Sequence, residues 1–203
     1  LISLTAFYKL IKNPISRIEV ASAGGYLSYE NIADKATVAG VEVEVRKNLF
    51  VRPLSSAANG MNKLSFGLNG SYIYTNAKMP LATVTTGSQL EGAAPWIANF
   101  DLSHNFTKGT HSFINTLVFN YVSDKIYTIG TQGYQDIIEQ GMMMLDFVSQ
   151  AKLNKYVSLT LKARNLLNPS YKLSRKANES GEKVVLSDYK KGINISLGVS
   201  CTF

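Results

Sequence analysis

The sequence lacks the features that mark disulfide-stapled domains and helical membrane proteins. It contains a single cysteine, Cys201, so no disulfide can form within the chain. It has no run of about 18 apolar residues, and we therefore expect no transmembrane helix. Lys and Arg number 21 against 14 acidic residues, a net charge of +7, but the basic residues are scattered. Without a basic cluster, a nucleic-acid partner is not expected.

Residue patterns of catalytic and metal sites are equally scarce. The two histidines, His104 and His111, both lie beside the turn at 108–110, where exposure is their ordinary role. The sequence contains no Gly-rich phosphate loop, no Gly-x-Ser-x-Gly motif and no cysteine pair. We therefore predict no enzymatic activity, no bound metal and no cofactor.

What the chain does contain is the composition of strands joined by turns. It has 11 Tyr, 9 Phe and 15 Gly, and apolar and polar residues alternate with a period of two in eight segments. These segments predict an all-β, antiparallel fold with strands at 1–12, 36–49, 63–77, 95–107, 111–127, 142–154, 156–167 and 189–203. Strands of about 12–15 residues are longer than the usual five or six and suit a tilted strand that crosses a bilayer.

The connections between these strands alternate in length. Those at 13–35, 78–94, 128–141 and 168–188 are long, whereas the turns at 108–110 and 154–155 are very short. The connection at 50–62 is the exception, a longer one on the short side. Transmembrane β-barrels have long loops on the extracellular side and tight turns on the other, so the asymmetry favours an outer-membrane barrel.

Charged residues inside the strands occupy only one parity. All of the strand-interior charges fall on the polar side of the alternation: Lys9, Glu42, Glu44, Arg46, Asp101, Asp146, Lys152, Lys162 and Arg164. The exceptions, Lys47, His104 and Lys191, lie near strand ends. A basic residue facing lipid at the bilayer midplane costs about 2–4 kcal/mol, so this segregation predicts a lipid-facing surface.

Four motifs, taken in order, resemble one family. They are Ala39-Gly40-Val41-Glu42-Val43-Glu44, then Leu90-Glu91-Gly92-Ala93-Ala94-Pro95-Trp96-Ile97-Ala98-Asn99, then Ala163-Arg164-Asn165-Leu166-Leu167-Asn168, and a terminal alternating strand that ends in Phe203. With this order and spacing, the sequence resembles the C-terminal part of TonB-dependent outer-membrane receptors over essentially all 203 residues.

The resemblance implies the place of the chain in a larger protein. Residues 1–203 would form the last eight of about 22 barrel strands, without the plug domain that these receptors carry. The implied function is active import of a scarce ligand, such as an iron chelate, cobalamin, an oligosaccharide or a peptide, across the Gram-negative outer membrane. The implied partners are outer-membrane lipids and lipopolysaccharide, TonB through the missing N-terminal region, the barrel-assembly machinery and, for some members, a surface lipoprotein. Phe203, with Val199, Leu197 and Ile195, would form the barrel-assembly signal.

Ligand recognition is expected in the long loops, because barrels of this type differ there. Tyrosine, glutamine and basic side chains suit sugars, peptides or chelates. The candidates of this kind are Arg17, Tyr26, Tyr29, Gln132, Tyr134, Tyr171, Lys172 and Arg175. Basic loop residues would also suit the phosphates of lipopolysaccharide.

Three other readings of the same pattern remain open. A self-contained eight-stranded outer-membrane barrel, structural or adhesive, would close with side chains filling its interior. A soluble β-barrel binding protein would show the same alternation, although the charge-free apolar parity argues against it. An outer-membrane enzyme is the least favoured, since no nucleophile, base and orienting group can be identified.

Overall fold

The structure is a computed structural model that describes residues 1–20, 25–31, 33–54, 60–77, 89–131, 133–177 and 181–202. Within these ranges the regular secondary structure consists of fourteen strands, numbered in chain order: β1 Ile2–Lys12, β2 Ile15–Glu19, β3 Leu27–Asn31, β4 Lys35–Pro53, β5 Met61–Ala77, β6 Trp96–Lys108, β7 His111–Val122, β8 Lys125–Thr128, β9 Ile137–Glu139, β10 Met142–Lys152, β11 Val157–Arg164, β12 Ser170–Lys176, β13 Lys183–Lys190 and β14 Asn194–Cys201. The described ranges contain no helix long and apolar enough to cross a membrane.

Eight of the strands form one antiparallel sheet in the order β1-β4-β5-β6-β7-β10-β11-β14. All eight predicted segments contribute a strand to it, so the all-β antiparallel fold is confirmed. Four boundaries were wrong by three or more residues. The second strand ends at Pro53 rather than 49, which shortens the connection expected at 50–62, and the seventh ends at Arg164 rather than 167. The fifth strand ends at Val122 rather than 127, and the last begins at Asn194 rather than 189. In both cases the remaining alternating residues pair in a different sheet, because alternation marks a strand but not its partner.

The register divides the sheet into two faces. Residues directly opposite each other on neighbouring strands lie on the same face. One row joins Arg46, Gly67, Asp101, Val118 and Asp146 across five strands. The predicted strand-interior charges all fall on this face, which we call the polar face, so their segregation to one face is confirmed.

The opposite face, here called the apolar face, carries an unbroken row of hydrophobic side chains. Phe66, Leu102, Leu117, Phe147 and Ala163 lie opposite one another along five strands. Lys47 departs from this pattern, because it lies opposite Phe66. Its expected position near a strand end is wrong, since β4 continues to Pro53.

The long connections lie at one end of the sheet and carry strands of their own. The strands β13-β12-β9-β8 form a four-stranded sheet, and β2 pairs with β3. A parallel bridge between Ile18 and Ile129 joins the two. These segments, together with residues 89–94, are called the loop assembly below.

The loop assembly folds onto the polar face. Ala36 and Ala77 lie at the loop ends of β4 and β5 on that face, and they are buried against Ala33 and Leu90. The Leu90 amide donates to the Thr75 hydroxyl over 3.1 Å. Segments that were predicted as loops therefore cover one end of the polar face.

Gly40 lets an aromatic ring cross the polar face. It lies within β4, opposite Phe7 and Ile73. A Cβ at this position would collide with the ring of Phe7 and would lie 2.7 Å from the backbone oxygen of Tyr72. Only glycine fits here without movement of the ring or of the strand.

We expect Gly40→Ala to destabilise the folded protein by about 1–3 kcal/mol, the usual cost of overpacking. Gly70→Ala is the matched control, because a Cβ at Gly70 in β5 meets nothing within 4 Å. The measurement is denaturant unfolding of both variants in lipid vesicles. Equal stability of the two would show that the Phe7 ring moves aside at little cost.

Candidate functional site in the loop assembly

The loop assembly has a small apolar core. Ile18, Ile126 and Ile129 are buried together, and Ile138 packs against them. Backbone hydrogen bonds fix the same contact, since the Ile129 amide donates to the Arg17 carbonyl over 3.0 Å. The amide of Gly92 donates to the carbonyl of Ile126 over 2.8 Å. Three separate connections are thus held as one unit.

Arg17 lies between two tyrosines. Its guanidinium carbon is 4.4 Å from the ring centroid of Tyr127 and 5.8 Å from that of Tyr29, which is its cross-strand partner. Its Nε is 3.8 Å from a carboxylate oxygen of Glu91, whose other oxygen accepts the Arg17 amide. The hydrogen bond to Tyr29 raises the pKa of Arg17, so the cation is permanent. Arg17 therefore ties β2 to residues 89–94.

Arg175 makes a second contact between segments of the loop assembly. Its guanidinium pairs with the carboxylate of Glu19, and both side chains are only 15% exposed. Its guanidinium carbon is 5.4 Å from the ring centroid of Tyr134. The Nε of Arg175 is buried and has no hydrogen-bond partner in the described ranges. Part of the hydrogen-bonding capacity of this cation is therefore unused.

A tyrosine pair and two ion pairs occupy the rest of the four-stranded sheet. The rings of Tyr171 and Tyr189 are 5.1 Å apart, and the Lys191 ammonium is 5.5 Å from the Tyr171 ring. The ion pairs are Lys172 with Asp188 and Lys125 with Glu139, and in each the lysine Nζ is 3.2 Å from a carboxylate oxygen.

The Tyr171 phenol provides a pH probe of this sheet. Burial, followed by the nearby Glu139 carboxylate and its hydrogen bond, raises the pKa of Tyr171 from 10.0 to about 12. The folded state holds this proton more tightly than the unfolded state. The stabilisation is therefore complete below pH 10 and is lost as the pH rises towards 12.

We expect the tyrosinate absorbance of the wild-type protein, minus that of Tyr171→Phe, to show a transition near pH 12 rather than 10. Glu139→Gln should move this transition downwards, because it removes the negative charge beside the phenol. A Tyr171-dependent transition at pH 10 in the folded wild-type protein would contradict the partly buried position of the ring beside Glu139.

A cavity of about 440 Å³ lies along the four-stranded sheet. Ile126, Ile138 and Ser174 line it from a single cross-strand row of β8, β9 and β12. Gln89 and Gln135 add amide groups to the lining. This volume is in the range of small-molecule sites.

Charge in the cavity is divided between the two halves of the sheet. Arg175, Lys176 and Lys183 line it from β12 and β13, whereas Asp124 and Asp136 line it from the segments that precede β8 and β9. Burial raises the pKa of Asp136, although its hydrogen bond from the Gly130 amide, 2.8 Å long, acts in the opposite direction. The cavity thus has a basic half and an acidic half.

The structure brings together most of the candidate ligand residues. Arg17 with Tyr29, and Arg175 with Tyr134, form two cation–aromatic pairs, while Tyr171 and Lys172 lie on β12. Tyr26 is 70% exposed and its side chain joins neither pair, and Gln132 lies outside the described residues. Of the candidates that the structure describes, only Arg175 lines the cavity.

Sequence reasoning missed several residues of the site. Glu91 belonged to a family-like motif, Tyr127 was assigned to a membrane strand, and Lys125 and Glu139 were not singled out. Their positions depend on contacts between distant connections, which no local pattern signals. In the described ranges, no group of three or more His, Cys, Asp or Glu side chains could hold a metal ion.

The residues of the predicted assembly signal lie on the last strand. Ile195, Leu197 and Val199 lie opposite Ala163, Leu161 and Leu159 of β11, in line with the apolar face. Phe203 lies outside the described residues. The shared face is established, and the role of these residues as a signal stays a prediction.

Comparison with known proteins gives one match. A protein-family model described as "TonB dependent receptor-like, beta-barrel" matches residues 1–166. No curated protein matches the chain, and no solved structure matches it either. The family match covers β1 to β11, whereas the resemblance of 167–203 rests on the sequence pattern.

Proposed function

Because the chain belongs to the TonB-dependent receptor-like β-barrel family, we propose that it forms the C-terminal, closing part of an importer that takes up a scarce ligand. Membership makes it a receptor and transporter domain of the Gram-negative outer membrane, in a family that is not enzymatic. In this assignment the apolar face contacts lipid and the polar face lines the barrel interior.

The observation that carries this proposal is the open eight-stranded sheet. Among the described residues, β1 pairs only with β4, and β14 only with β11. A self-contained eight-stranded barrel would require pairing between β1 and β14, because closure removes both edges. Unpaired strand edges are costly in lipid, so further strands are needed to complete the wall. This supports a larger barrel over the self-contained one.

The loop assembly supports a role in ligand entry. It covers the loop end of the polar face through the contact of Leu90 with Ala36 and Ala77. A ligand entering the barrel from outside would meet this assembly first. Residues from three connections would therefore contribute to its recognition.

The partners of the chain follow from the same proposal. Family membership implies an interaction with TonB, and we place its contact, together with the plug domain, in a region N-terminal to this chain. The barrel-assembly machinery would recognise Phe203 with Ile195, Leu197 and Val199. Basic residues of the loop assembly would face lipopolysaccharide, and a surface lipoprotein could cap the same end.

The mass of the native polypeptide tests the proposal. An antibody against the loop at 168–188 is applied to outer-membrane extracts of the host. We expect a heat-modifiable band several times larger than the 22.3 kDa of this chain. A heat-modifiable band near 22 kDa would instead establish a self-contained small barrel. Recovery in the soluble fraction would overturn both alternatives.

A further inference from the structure

We propose that the cavity of the loop assembly binds a short zwitterionic peptide, with the carboxylate at Lys176 and Lys183 and the amino group at Asp136. The inference rests on the proposed function and names the ligand class of the site. The peptide would contact the row of Ile126, Ile138 and Ser174, along which the cavity extends.

The arrangement of charge defines a ligand with two opposite ends. In the sheet order β13-β12-β9-β8, the basic side chains belong to the first two strands and the acidic ones precede the last two. A ligand of a single charge would be repelled at one half. A ligand with an anionic and a cationic end is complementary to both halves.

The basic half has unused capacity for an anion. Lys176 and Lys183 lie directly opposite each other in the β12–β13 pair. Neither ammonium group forms an ion pair within the described ranges, and like charges in this position destabilise a sheet. Arg175 lines the same half and has its Nε unpaired. A carboxylate between the two lysines would remove their repulsion.

The acidic half has unused capacity for a cation. Asp136 is partly buried and accepts one hydrogen bond from the Gly130 amide. Asp124 accepts the Gly141 amide over 2.6 Å. Neither carboxylate forms an ion pair in the described ranges, so an ammonium group would supply the missing counter-charge.

The distance across the strands gives the length of the ligand. Asp136 directly precedes β9, so it lies about one strand spacing from Lys176 on β12 and two from Lys183 on β13, which is roughly 5–10 Å. An extended chain covers about 3.3–3.6 Å per residue, so two to three residues fit between these charges. Gln89 and Gln135 offer amide donors and acceptors that suit peptide bonds, and the two isoleucines suit apolar side chains.

The test uses the full-length receptor purified in detergent micelles. The probes are tri-alanine with free termini, its C-terminal amide and its N-acetyl form, and binding is measured by titration calorimetry. We expect tri-alanine to bind roughly tenfold more tightly than either blocked form, the effect of losing one charged contact. Equal affinity for all three peptides, or no binding up to about 1 mM, would overturn the inference.

Variants assign each end of the peptide to its half of the cavity. Lys176→Gln with Lys183→Gln should weaken tri-alanine binding roughly tenfold but leave binding of the amide form unchanged, because the contact is already absent there. Asp136→Asn should likewise weaken tri-alanine binding roughly tenfold and leave binding of the acetylated form unchanged. Lys190→Gln, on β13 and outside the cavity, is the control and should change no affinity. An equal loss for all three peptides would overturn the assignment.

Failure of this inference can be told apart from failure of the proposed function. If the protein is a large outer-membrane receptor but binds the free and the blocked peptides with equal affinity, only the peptide site is overturned. Retention of heat-modifiable mobility by each variant shows that its barrel has folded, so a change in affinity then reports on the cavity.

Discussion

Replacing Leu117 by arginine should destabilise the protein far more than the same change at Val118, its neighbour in the middle of β7. Leu117 lies on the apolar face between Leu102 and Phe147, where a basic side chain near the bilayer midplane costs about 2–4 kcal/mol. Val118 lies on the polar face, opposite Asp101 on one side and Asp146 on the other. Arginine at Val118 would gain two acidic neighbours.

The measurement is the denaturant midpoint of each full-length variant in lipid vesicles. We expect a clear decrease for Leu117→Arg and little change for Val118→Arg. Val118→Leu serves as a volume control on the polar face. An equal decrease for the two arginine variants, or a larger one at Val118, would mean that the apolar face does not contact lipid.

Glu19→Gln should loosen the loop assembly by about 2–3 kcal/mol. The change is nearly isosteric, but it leaves the Arg175 guanidinium without its counter-ion in a site where both side chains are 15% exposed. Removing one partner of a fully buried pair costs about 3–5 kcal/mol, and partial exposure lowers the expected value. The eight-stranded sheet should be unaffected, because the pair belongs to the loop assembly.

Hydrogen exchange of the Ile129 amide, which joins β2 to the four-stranded sheet, reports this loosening. Its protection should fall roughly 30- to 150-fold, the factor that corresponds to 2–3 kcal/mol. Asp188→Asn is the matched control, since it breaks a pair of the same sheet whose side chains are 37% and 42% exposed. Such exposed pairs contribute less than about 1 kcal/mol. Equal effects of the two variants would show that the Glu19–Arg175 pair does not stabilise the loop assembly more than an exposed ion pair does.

The sequence of β7 does not show on which face of the sheet its apolar residues lie. Ile114, Val118 and Val122 are apolar but share the polar face with Asn105, Asp101 and Ile97. Their hydrophobicity alone would place them in lipid. Register with the neighbouring strands decides the face, because the charged partners of Val118 come from β6 and β10.

The sequence by itself determined the eight strands of the main sheet, their antiparallel pairing and the polar face of the strand-interior charges, with Lys47 as the exception. These features are local, since a period of two and the cost of charge in lipid act on each strand separately. Only the tertiary structure decided that β8 and β13 leave the main sheet, that Glu91 meets Arg17, and that a cavity with two charged halves lies along β12. Such contacts join residues far apart in the chain, as Glu19 and Arg175 are, and depend on how the connections pack against one another.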